Sequence, residues 1–287
     1  MVQIVTESHA DIPLSVAHQY NISVIPVRIL HRNQCYHEQV DINADGFHGL
    51  LQDEFVPVTT PASPYYIYNL FDKIAKTGED ILIISSNEGT TGFLINVKIA
   101  IKYLKNLKLE IYHSGASSMF QGLLSIQAAV LAQYGFTATE IISILSQVVE
   151  NMVSYTISYK NNFVPSKSAK FTLLKRVRSI GHKIKVGKIL DGESEIISTA
   201  RNINQATEFI VDELSKLYTK DEPVLVSVLH ARNPIESSNL GTLVSQKLNT
   251  VRTFPSKLGS LLSSQLGLNA LTVVVSPVLS EYQNFFV

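Results

Sequence analysis

Residues 81–84, Ile-Leu-Ile-Ile, form an unbroken apolar run that stops at Ser85-Ser86 and a turn containing Gly89 and Gly92. Such a short run with no polar member reads as a strand buried on both faces. A helical pattern follows at once. Strand, glycine turn and helix start make half of a βαβ unit, and the free N–H groups at a helix start favour an anion. Thr90 and Thr91 add hydroxyl donors to the turn. No lysine follows the second glycine, so this is not a Walker A loop. A structural turn and a ligand cradle both fit it.

The same alternation recurs through the first half of the chain. Residues 2–5 read as a strand, and Asp11-Ile12-Pro13 as a helix start, with Asp11 as N-cap and Pro13 in the first turn. Residues 22–29 form a second β-rich run, and residues 35–42 a looser loop or strand. Asn43 caps a short helix. Residues 56–64 form a proline-punctuated loop carrying Thr59 and Thr60, and residues 65–76 are helical. After the glycine turn, Leu94, Val97, Ile101 and Leu104 share one helix face. Residues 109–112 make another strand, residues 117–134 a helix that is apolar nearly all round, and Thr139 caps a helix over 140–151. This pattern predicts an α/β fold for residues 1–152, with a mostly parallel sheet and helices on both faces.

Residues 153–287 read as a second α/β domain. It has a strand over 153–159, a hairpin over 184–199 turning at Asp191-Gly192, helices over 204–218 and 234–248, and strands over 224–230, 251–254 and 271–276. The stretch from Lys160 to Lys188 is strongly basic, and no acid lies between Glu150 and Asp191. It reads as a solvated face or as a surface that steers an anionic partner such as a membrane.

Composition narrows the function. The chain has 24 basic and 24 acidic residues among 287, so global charge does not point to nucleic acid. The single Cys35 excludes an internal disulfide, and the opening Met-Val-Gln-Ile-Val reads as a strand, so a cytoplasmic protein is expected. No apolar run approaches the roughly 18 residues of a membrane span. The eight histidines show no metal-ligand spacing, and His230, ending a strand, reads as a packed side chain. No G-x-S-x-G elbow is present. Neither a catalytic set, nor a metal, nor a cofactor is expected.

Several segments, in order, resemble the DegV family of bacterial fatty-acid-binding proteins that serve a fatty-acid kinase. Residues 4–13, I-V-T-E-S-H-A-D-I-P, are similar to I-V-T-D-S-T-A-D-L-P. Ile25-Pro26 and residues 38–42, E-Q-V-D-I, match I-P and D-x-V-D-I. Residues 59–64, T-T-P-A-S-P, resemble T-S-Q-P-S-P, and residues 85–92 resemble L-S-S-G-L-S-G-T. Asp191-Gly192 and Thr199-Ala200-Arg201 fall at the family's hairpin and following arginine. The chain departs at Glu7, His9, Pro61 and Thr91, and Gln265 stands where the family has a histidine. The K-G-G-R-I segment is replaced by residues 164–170.

The resemblance implies a fatty acid held in an apolar tunnel, its carboxylate bound by Thr59 and Thr91, with Arg201 and Gln265 from the second domain. Thr60, Gly89 and Gly92 complete the candidate ligand-binding set. It also implies a non-enzymatic subunit that presents the acid to a separate ATP-dependent fatty-acid kinase, with the stretch 160–188 docking the kinase or an anionic membrane. An alternative is a binding protein for another lipid, such as an isoprenoid, sterol or lysolipid, without the kinase. Burying an acyl chain is worth about 0.8 kcal/mol per methylene, and hydroxyls or a guanidinium offset the cost of burying its carboxylate.

Overall fold

The computed structural model describes residues 1–86, 92–104, 107–159, 184–190 and 193–286. The chain divides into two compact units. The first is Met1–Val149 together with Leu258–Leu261, and the second is Glu150–Lys257 with Leu262–Val287. The return of Leu258–Leu261 to the first unit has no signature in the sequence.

The first unit is built on a four-stranded parallel sheet of β1 (Val2–Glu7), β2 (Ser23–Ile25), β6 (Asp80–Ser85) and β7 (Leu109–His113), in the order β2-β1-β6-β7. In β1 and β6 alternate side chains take opposite faces. Val5, Ile81 and Ile83 pack with Ile67 and Phe71 of α3 (Pro64–Ala75) and Phe93, Leu94 and Val97 of α4 (Phe93–Ile101). On the other face lies α5 (Met119–Gln133), in which Gln121 Nε2 donates to Thr6 Oγ1 at 2.8 Å and to the Ile84 carbonyl at 3.0 Å. Every residue of α5 from Met119 to Ala132 is buried, as its all-round apolar sequence requires. The expected doubly covered parallel sheet is therefore the architecture of this unit.

A second, antiparallel sheet of three short strands was not legible as such. It consists of β3 (Arg28–His31), β4 (Gln34–His37) and β5 (Val58–Thr60), in the order β4-β3-β5. The β-rich run at 22–29 is two strands in two sheets. Pro26, which has no N–H to donate, lies between them. Asn43 caps α2 (Ala44–Leu50) as expected, its side chain accepting from Gly46 N.

Two expected caps are corrected. Asp11 does not cap a helix. It closes a 3-10 turn, Ser8–Ala10, in the left-handed conformation (φ 54°), and α1 (Leu14–Gln19) starts after Pro13 with no side-chain cap. The Asp11 carboxylate is bound elsewhere, by Ser118. The cap of α6 (Ala138–Val149) is Thr137 and not Thr139. Thr137 N and Oγ1 donate to Glu140 Oε2 at 2.8 and 2.7 Å, and Glu140 N donates back to Thr137 Oγ1. That reciprocal capping box satisfies two donors at once, which Thr139 could not do from inside the helix.

The second unit carries a six-stranded sheet of β8 (Val153–Ser158), β9 (Ile184–Leu190), β10 (Glu193–Ala200), β11 (Pro223–His230), β12 (Asn249–Lys257) and β13 (Leu271–Pro277). Its order is β10-β9-β8-β13-β11-β12, and only β11 and β12 run parallel. Val153, Tyr155 and Ile157 of β8 and Leu271, Val273 and Val275 of β13 present one apolar face. Against it pack Ile210 and Leu214 of α7 (Ile203–Leu217) and Leu240 and Val244 of α8 (Pro234–Lys247). The short α9 (Ser260–Leu266) connects β12 to β13.

Gly122 fixes how α5 meets the Ser8–Ala10 turn. A methyl there would come within 2.7 Å of the Ala10 carbonyl oxygen and of Met119 Sδ. The carbonyl belongs to the backbone and cannot swing away. Gly122→Ala is expected to lower stability by about 1–3 kcal/mol despite the better helix propensity of alanine, as read by urea denaturation of the full chain.

Candidate functional site

The strand order β2-β1-β6-β7 reverses direction between β1 and β6. Chain leaving β1 returns on one side of the pair, and chain leaving β6 returns on the other. The two connections diverge beyond the carboxyl ends of these strands, the usual ligand position in open α/β sheets. Register places Val5 beside Ile83, and Thr6 Oγ1 donates to the Ile84 carbonyl at 2.9 Å. Glu7 at the end of β1 is therefore level with Ser85 at the end of β6.

The β5–α3 loop is fastened to β3 and to the first turn of α4. Arg28 Nε donates to the Pro61 carbonyl at 3.1 Å, and Asn96 Nδ2 of α4 donates to the Ala62 carbonyl at 2.8 Å. Gly92, at φ 68°, sits at the N-cap of α4, and a methyl on it would meet Pro61 Cγ at 3.6 Å. Pro61 and Ala62, directly after Thr59 and Thr60, thus lie against the start of α4. Thr59 pairs with buried Ile29 and shares its face of the small sheet. Thr60 Oγ1 and Ser86 Oγ are buried and have no hydrogen-bond partner among the described residues. Ser86 was absent from the candidate set, although its place at the end of a buried strand marks it.

Gly89 and Thr91 lie outside the described residues. Arg201 and Gln265 belong to the second unit, where both are exposed, and Arg201 N donates to Gln205 Oε1 at 2.9 Å. Of the basic stretch, residues 160–183 also lie outside the described residues. Its end belongs to β9, where Lys185 and Lys188 are half-buried and Lys188 Nζ lies 5.8 Å from the Tyr155 ring centroid.

A second constellation in the first unit was missed. Glu7, His9, Asp11 and Glu38 are all buried, each no more than 4% exposed. Glu38 Oε2 accepts from Ser8 Oγ at 2.6 Å, which in turn accepts from Val27 N at 3.0 Å. Glu38 Oε1 accepts from Ser260 N at 2.7 Å, and Asp11 Oδ2 from Ser118 Oγ at 2.5 Å. His9 Nδ1 is 3.3 Å from Glu7 Oε1, while His9 Nε2 and Glu7 Oε2 have no hydrogen-bond partner among the described residues. Among the described residues no such group is disposed to hold a metal ion. The ionisable residues clustered at 7–11 were a usable signal, but reading Asp11 as a cap hid it.

Burial, and then the charge of Glu38, push the Asp11 carboxyl up to about 7, against the opposing bonds from Ser118 and Gly259. Burial alone would lower the His9 imidazole, but Glu7, Glu38 and Asp11 together hold it above its ordinary value.

A family model described as "Uncharacterised protein, DegV family" matches residues 1–278. The chain belongs to the DegV family. Over 276 residues it is 24% identical to the DegV domain-containing protein TTE1491 of Caldanaerobacter subterraneus subsp. tengcongensis, covering 95% of this chain and 97% of that one. Among solved structures, DegV of Bacillus subtilis, described as a fatty acid binding protein, superposes with a TM-score of 0.81 at 19% identity. That match covers 96% of this chain and 99% of that one. A stearic acid-binding protein of Eubacterium ventriosum superposes with the same score at 15% identity, covering 96% and 98%. These likenesses establish the DegV fold for this chain. Among the described residues no helix is long and apolar enough to cross a membrane.

Both raised groups in this DegV chain give stability the same sign. A group whose folded-state value exceeds its unfolded one favours the fold at low pH and loses that contribution as pH rises through the folded value. For Asp11 the loss spans 3.8 to about 7, and for His9 it lies above 6.5. The urea midpoint is therefore expected to be higher at about pH 5.5 than at about pH 8.5, and His9→Gln should narrow the difference.

Proposed function

We propose that this protein binds a long-chain fatty acid, with its carboxylate at the carboxyl ends of β1 and β6 and its chain in an apolar tunnel of the first unit. The observation that carries this reading is a pair of buried hydroxyls, Thr60 Oγ1 at the end of β5 and Ser86 Oγ just after β6, that have no hydrogen-bond partner among the described residues. An unmatched buried hydroxyl costs about 1–3 kcal/mol, and a carboxylate accepting from it removes that cost. The descriptions of the fatty-acid-binding DegV structures support the ligand class. By resemblance, Thr59, Thr91 and the turn glycines Gly89 and Gly92 join the carboxylate site. Arg201 supplies a cation, and Gln265 takes the place of a histidine.

In this reading the protein is a carrier and not itself an enzyme. A separate ATP-dependent kinase phosphorylates the presented carboxylate, for use in phospholipid synthesis in the cytoplasm. The basic stretch 160–188 docks that kinase or an anionic membrane. Neither step needs a cofactor on this chain.

Native mass spectrometry of the full chain purified from its own cells tests the ligand. A fatty-acid mass is expected, and an isoprenoid, sterol or lysolipid mass in its place refutes the assignment. A hydrogen bond to a charged group contributes about 1.5–3 kcal/mol, so Thr60→Val and Thr91→Ala should each weaken fatty-acid retention by roughly tenfold or more. Arg201→Ala examines the cation in the same assay.

A further inference from the structure

Residues Leu258–Leu261 form a strap that belongs to the first unit, although the chain on either side of it belongs to the second. Two buried carboxyls grip it. Glu38 Oε1 accepts from Ser260 N at 2.7 Å, and the Asp11 carboxyl accepts from the Gly259 N–H. The grip leaves no room for a side chain. A methyl on Gly259 would overlap Asp11 Oδ1 and press on Glu38 Oε1 at 3.1 Å. The two acids thus close on one peptide from two different parts of the first unit.

His9, held toward its charged form, offsets a second charge there only in part, and Asp11 is still displaced upward. Among the described residues, the other titratable groups facing the cluster and the strap are Glu7 at the end of β1, His9 in the turn after it, and His48 of α2, whose Nε2 donates to the Leu258 carbonyl at 2.9 Å. His9 lies against Glu7. Helix α5 has no titratable side chain, and neither has the strap. Ser118 and Ser8 contribute hydroxyls, already donated to Asp11 and Glu38.

We propose that Asp11 and Glu38 form a proton-sensitive latch on Leu258–Leu261, closed while Asp11 is neutral beside the Glu38 carboxylate and loosened when Asp11 ionises. With both carboxyls charged, two like charges share one buried peptide, and releasing the strap rehydrates them. The upward displacement of the Asp11 carboxyl to about 7 puts the transition near neutrality. The latch does not depend on which ligand the protein binds.

Hydrogen–deuterium exchange of the full chain tests it, read at the peptide covering residues 258–261 and corrected for intrinsic rates. Protection of the strap is expected to fall roughly tenfold between about pH 6 and about pH 8.5, while peptides from β1 and β6 keep theirs. Asp11→Asn mimics the neutral acid, and Glu38→Gln removes the opposing charge. In either variant the strap should stay protected at both values. Equal protection of the native strap at the two pH values overturns the latch, whatever the variants do. So does a pH-dependent loss that persists in a folded Asp11→Asn or Glu38→Gln chain.

Discussion

The parallel pairing of β1 with β6 is the contact on which the first unit depends. Both strands are buried on their two faces, so their side chains hold helices above and below while their backbones satisfy one another and their outer neighbours. Because the chain returns to opposite sides after each strand, the same pairing makes the connections diverge at their carboxyl ends. The acidic cluster begins at the end of β1, and the β5–α3 loop is bonded to the start of α4, which follows β6. Fold and candidate site share one cause, which is the placement of two apolar runs almost eighty residues apart as neighbours.

What accumulates at those strand ends is costly to bury. Glu38 and Asp11 are matched by hydroxyl and backbone donors, whereas Glu7 and His9 form only an ion pair with each other. Burial raises Asp11 toward its neutral form and the surrounding acids hold His9 toward its charged form. The cluster therefore settles by moving protons as well as by bonding, which is the behaviour expected of ionisable groups that cannot all be charged in a low-dielectric interior. Thr60 Oγ1, Ser86 Oγ and Gln121 Oε1 also have no hydrogen-bond partner among the described residues. Departures of this kind gather at sites that meet a ligand, because an unmet donor is useful only to something that arrives later.

Much of the fold was legible because its signals are local. The apolar runs of β1, β6 and β11, the all-round apolar α5 and the Asn43 cap each follow from a few consecutive residues. The small sheet was not legible, since its strands are three or four residues long and too short to show a period. Thr137 and Thr139 are chemically equivalent candidates for a cap, and only the reach of the Glu140 side chain separates them. Asp11 followed by proline two residues on is good helix-start chemistry, yet the stronger demand on its carboxylate came from Ser118, far along the chain.

The sequence by itself determined the alternation of strands and helices, the apolar faces that must be covered, and the family to which the chain belongs. It also marked Thr59 and Thr60 in one proline-punctuated loop and Gly92 in a separate glycine turn, and only the family resemblance joined the two. Tertiary structure alone decided that Glu7, His9, Asp11 and Glu38 meet, and that a peptide more than two hundred residues later lies against two of them. The physical reason is that periodicity and caps are enforced by neighbours along the chain. Burial and charge are set by whatever the folded topology brings within a few ångströms, and no spacing in the sequence encodes that distance.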